Sequence, residues 1–153
     1  MKKGLMLLLT TAMLLLCSCY TSNEPENASE YSGELSKAQE IAVFSADASD
    51  ATQVLKESGE ISDFMMALDM EHWELGALPK TAELMGTFRF SQAKTVTFGD
   101  NAAEDAADGE LYPVCQIFCY EDIPYIALEI AGISMTFKVS DTTMEYLAGY
   151  FGG

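Results

Sequence analysis

The chain offers few side chains suited to bond-making chemistry: four cysteines and one histidine stand against 24 acidic residues. Cys115 and Cys119 lie in Leu111 to Tyr120, a stretch rich in β-forming residues that reads as a strand. Four residues along a strand separate the two thiols by about 13 Å. A disulfide needs Cα atoms within ~7 Å, so these cysteines are expected to be buried apolar thiols. Joining them to His72 gives no zinc-ligand spacing, and no metal is expected. His72 falls at helical spacing from Met65 and Leu68, which reads as a half-buried helix residue rather than a catalytic base. The segment Gly99 to Glu110 carries five acidic residues and no basic one. Set as a calcium loop with Gly109 as its glycine, it puts Glu104 and Ala106 at the first and third ligand positions, and alanine cannot coordinate. A solvated loop is the reading, with loose cation binding as the alternative. No G-x-S-x-G, H-E-x-x-H or phosphate-cradling glycine loop is present. Carboxylates are too abundant for spacing to single out a catalytic pair. The expectation is no enzyme, no catalytic residue and no cofactor.

The remaining cysteines sit at the end of a leader. Lys2 and Lys3 precede an apolar run from Leu5 to Leu16, interrupted only by Thr10 and Thr11. Twelve helical residues reach about 18 Å, short of the ~30 Å hydrocarbon core, so a cleaved signal is favoured over a permanent span. The sequence Leu16-Cys17-Ser18-Cys19 resembles the lipobox of bacterial lipoproteins. With Cys19 as acceptor, Ser18 fills the small position before it and Leu16 the apolar position two before it. With Cys17 as acceptor, bulky Leu16 would occupy the small position. The resemblance implies diacylglycerol and palmitate on Cys19, cleavage before it, and a mature protein anchored on the extracytoplasmic face of the cell membrane. Ordinary secretion and an uncleaved anchor are the alternatives.

Charge limits the partners. Without Lys2 and Lys3, 6 basic residues face 24 acidic ones, a net charge of −18. Phosphate backbones are repelled, which excludes nucleic acid as a partner, and an anionic leaflet repels the domain as well. The lipid on Cys19 is then the membrane contact. A protein or envelope polymer is the expected partner, with a small-molecule-sensing lipoprotein as the alternative. Aromatic residues are the candidate binders. Trp73, Tyr112, Tyr120 and Tyr125 could line a patch that grips a peptide or glycan; otherwise Trp73 locks the end of a helix onto a sheet.

Periodicity supplies the elements. Residues 1–18 read as the signal peptide, 19–38 as a flexible polar tether about 25 Å long, and 39–153 as one domain. Glu40 to Ala46 and Thr52 to Lys56 read as a hairpin. A helix over about 62–75 follows, capped by Ser62 and stopped by Gly76 and Pro79. Its Met65, Met66 and Met70 read as core packing, with an adaptable binding surface as the alternative. Gly86 to Gln92 alternates with Phe88 and Phe90 on one face, and Lys94 to Phe98 reads as its partner strand. Three strands follow: Leu111 to Tyr120, Tyr125 to Ala131 and Ile133 to Val139. A terminal helix covers about 141–151, with Thr142 and Glu145 as a capping box. The expected fold is α+β: an antiparallel sheet of hairpins and meander with both helices packed on one face.

Certain residues are also similar to those of a family of small lipoprotein domains of unknown function from Gram-positive bacteria. They are Trp73-Glu74-Leu75-Gly76 with Leu78-Pro79, Pro124-Tyr125-Ile126, the run Ile130 to Phe137, and Glu145-Tyr146-Leu147. These are packing and turn residues. The resemblance implies one exported domain and transfers no activity to any position.

Overall fold

Two ten-residue strands, β4 (Leu84–Ala93) and β5 (Leu111–Tyr120), decide which way the rest of the chain faces. Alternation sends Phe88, Phe90, Cys115, Ile117 and Cys119 to one side, where all five are buried. The computed structural model describes residues 29–93 and 110–152. Around the central pair lie β1 (Glu40–Ser45), β2 (Gln53–Leu55), β3 (Glu74–Leu75), β6 (Tyr125–Ile130) and β7 (Ile133–Lys138). They form one seven-stranded antiparallel sheet in the order β2-β1-β4-β5-β6-β7-β3. With the three α-helices among the described residues, α1 (Ser29–Leu35), α2 (Ser58–Ala67) and α3 (Asp141–Ala148), the fold is α+β.

The core between helix and sheet is a cluster of aromatic rings in tilted and edge-on contact. Phe64 of α2 meets Phe88 at 4.8 Å and Phe90 at 6.0 Å between ring centroids. Tyr150 and Phe151, just past α3, lie 5.4 and 5.0 Å from Phe88. The turn from β6 to β7 is two residues, Ala131 and Gly132, both at positive φ, the backbone that matches the right-handed twist of a tight hairpin.

Several expectations need correction. The helix expected over 62–75 is shorter and starts earlier. Ser62 lies inside α2, whose N-cap position is Glu57 without a side-chain cap. The helix stops well before Gly76, because Asp69 turns left-handed at φ 50°. A single 3-10 turn, Met70–His72, follows, and the chain then leaves helical geometry so that Glu74 and Leu75 can pair with Lys138 and Phe137 of β7. His72 is consequently exposed, with 72% of its side chain accessible, rather than half-buried. The terminal helix ends at Ala148 and is capped by Ser140, whose Oγ accepts from the Thr143 backbone N–H at 3.1 Å; Thr142 is not the cap. The tether boundary at 38 also moves. Segment 29–35 is helical, and Leu35 is wholly buried in the core beside Ala38. One leucine in a polar stretch has no periodicity to announce it, and only its tertiary contacts order it. Cys19, the expected strand Lys94 to Phe98 and nearly all of the acidic segment 99–110 lie outside the described residues.

Candidate functional site

The four aromatic candidates do not form a patch. Trp73 is 6% exposed and packs against Phe137 of β7 with ring centres 5.4 Å apart and the planes tilted by 46°, and its indole N–H donates to the Leu68 carbonyl at 2.6 Å. Tyr112 is 41% exposed near the start of β5. Tyr120 ends the same strand, about 26 Å away at ~3.3 Å per residue. Tyr125 begins β6 on the sheet face opposite the Phe137 side, with its ring against Gly76. Tyr120 and Tyr125 flank the same turn, one step beyond the Cys119–Ile126 pair. Trp73 and Tyr112 are elsewhere.

Cys115 and Cys119 are free and buried. Desolvation pushes the Cys115 thiol up to about 12 and Cys119 higher still, so neither supplies thiolate at neutral pH. Among the described residues no group of three or more His, Cys, Asp or Glu side chains is placed to hold a metal. No described helix is long and apolar enough to cross a membrane.

What the fold does assemble is a cleft of about 600 Å³ between α3 and the turn linking β5 to β6. Two elements shape it. The turn is pinned by the Glu121 N–H donating to Glu83 O at 2.9 Å and by Val139 N–H donating to Pro124 O at 3.0 Å, with Asp122 at φ 54°. The Ser140 cap fixes the first turn of α3 opposite it. Met85, Ile123, Pro124, Met144 and Phe151 give an apolar floor, and Glu121, Asp122, Asp141 and Glu145 supply carboxylates around it. No lining residue is basic. Tyr120 contributes a phenol whose pKa is raised by partial burial and then by Cys119. The open cleft thus presents an apolar surface beside carboxylates able to accept from a cation. Sequence reasoning missed it because the turn and α3 are about twenty residues apart. The acidic pairs Glu121-Asp122 and Asp141 with Glu145 were the only available signal, and such pairs occur throughout the chain.

A second groove of about 440 Å³ runs between α1 and α2. Met65, Met66 and Met70 line it, Met66 largely exposed and Met70 buried.

No family model matches the chain, and no curated protein matches it. Among solved structures, a thioesterase-like protein from Clostridium sporogenes is similar at 12% identity and a TM-score of 0.39, over 76% of this chain and 95% of that one. A likeness of that size transfers no residue role.

Proposed function

We propose that this chain is a lipoprotein held on the extracytoplasmic face of the cell membrane by a lipid on Cys19, and that its domain is a non-catalytic binding module. The leader and the Leu16 to Cys19 sequence support the anchor. Its kinship is with the small Gram-positive lipoprotein domains that its packing residues resemble, and both long helices are read as covering a single sheet face. The partner is a protein or envelope polymer that carries amines beside apolar groups. The carboxylate rim over an apolar floor at Met85, Ile123 and Phe151 carries this reading. Positive charge is attracted to such a rim, and apolar contact beneath it adds area burial.

The test is calorimetric titration of the full chain, in detergent, with a peptide alternating Lys and Leu. Glu121→Lys with Glu145→Lys should weaken binding by about tenfold or more; unchanged affinity overturns the cleft as the site. The anchor is tested separately, by intact mass on membrane fractions of wild type and Cys19→Ala. A lipid-sized increment lost in the variant supports it, and an unmodified wild type overturns it.

A small-molecule-sensing reading has one observation in its favour. The cleft volume falls within the ~300–1,000 Å³ of ligand pockets. Small amines that raise the melting temperature where the peptide does not bind would favour that reading.

A further inference from the structure

We propose that the sheet face turned away from the helices is a face-to-face dimer interface for a second copy of this chain. Among the described residues, every ring contact between sheet and helical segments falls on the face of Phe88, Phe90 and Phe137. The opposite face carries one continuous cross-strand row set by the register: Ala42, Arg89, Gln116 and Glu129 on β1, β4, β5 and β6. A parallel row two residues along holds Phe44, Thr87, Phe118 and Ala127. Two half-buried phenylalanines, Phe44 and Phe118, therefore lie beside a polar row on a face that no ring of the described helical segments touches.

The occupant follows from charge. The chain has a net charge of −16, so most of its surface repels another copy. This face is closer to neutral, because its bases are set against Glu40, Glu74 and Glu129, with Glu40 paired to Lys56. It carries Arg89, the only arginine, and also Lys138, opposite Tyr125 in the register. Arg89 is held against the face with its guanidinium 4.5 Å from the centre of the Phe44 ring. Neither Arg89 nor Glu129 has an ion-pair partner among the described residues.

The decisive relationship is the spacing. Arg89 and Glu129 flank Gln116 on either side, one strand away each. A twofold axis lying in the interface along β5 sets position for position across that strand. Arg89 of one copy then faces Glu129 of the other, and the reverse, while Gln116 and Phe118 each meet their own counterpart. A twofold interface requires such self-complementarity, and aligned sheets pack at about 10 Å, within reach of these side chains. Five strands by six residues give a footprint of about 24 by 20 Å per copy. That is below the ~800 Å² per partner of a standard interface, so a weak, concentration-dependent dimer is expected.

Sedimentation of the full chain in detergent, over concentrations up to about 1 mM, tests this. Wild type should dimerise. Arg89→Glu and Glu129→Arg should each weaken association by about a hundredfold, because the twofold repeats each repulsive contact. The double swap should restore association to near the wild-type level, with circular dichroism confirming that every variant is folded. A wild type that stays monomeric throughout, single swaps that leave association unchanged, or a double swap that does not recover it would each overturn the proposal. A dimer broken only by substitutions on α3 or the β5–β6 turn would move the interface to the cleft and overturn it too.

Discussion

The indole N–H of Trp73 donates to the Leu68 carbonyl at 2.6 Å, closing the end of α2 over a ring that itself packs, tilted, against Phe137. One side chain thereby ties a helix C-terminus, a left-handed turn at Asp69 and the far edge of the sheet. Trp73→Phe keeps most of the packing but leaves a buried carbonyl without its donor. It should cost about 1–3 kcal/mol, and Trp73→Ala about 3–5 kcal/mol. Urea unfolding followed by circular dichroism measures both, since the change removes the only tryptophan.

Leu35 tests whether α1 belongs to the cooperative unit. It is wholly buried, so Leu35→Ala should destabilise by about 2–5 kcal/mol with one unfolding transition. A loss below about 0.5 kcal/mol, typical of surface positions, would mean that α1 unfolds independently.

Gly86 is required by space. A Cβ there would overlap the Phe151 ring and lie 2.6 Å from the Phe44 carbonyl oxygen. Gly86→Ala should cost at least about 1–3 kcal/mol through overpacking. Phe151→Leu in that background should recover only part of the loss, because the ring can yield and the backbone oxygen cannot. A thermal melt of the three variants decides.

His72 should report on pH. Its Nδ1 lies 2.7 Å from Asp69 Oδ1, and that hydrogen bond, followed by the Asp69 charge, raises the histidine pKa above 6.5. The stabilisation is therefore fully present below pH 6.5 and lost as pH rises through the higher folded value. An NMR titration should find the raised pKa in wild type and a fall toward the ordinary value in Asp69→Asn.

The thiols should be silent in the native state. With Cys115 pushed up to about 12 by burial and Cys119 further, a disulfide reagent at pH 8 should react at least about a hundredfold faster in denaturing urea than in buffer. Comparable rates would mean that β5 opens readily.

Strands were legible wherever alternation was strong. Phe88 and Phe90, then Ile126 and Leu128, announce their buried face at period two, and the structure pairs them through Cys115, Ile117 and Cys119. Helix limits were not. Phe64 and Leu68 marked a helical stripe, but nothing local says that the chain must turn at Asp69 to bring Glu74 and Leu75 onto β7. Whether the aromatic candidates lie together was hidden for a related reason, and of the four only Tyr120 lines the cleft. Residue type marks Trp73 and Tyr112 as able to bind, and only packing buries the first and strands the second at the far end of β5.

By itself the chain determined its acid excess, its lack of recognisable catalytic motifs, its strand alternation and the apolar run from Leu5 to Leu16 ahead of Cys19. Those properties are local, carried by composition and short-range periodicity. The tertiary structure alone decided the order of the seven strands, the burial of Leu35, the cleft between α3 and the β5–β6 turn, and the alignment of Arg89, Gln116 and Glu129 in one row. Each of these depends on register between segments distant in sequence. Register is set by how well whole faces bury together, a sum over contacts that no single stretch of chain contains.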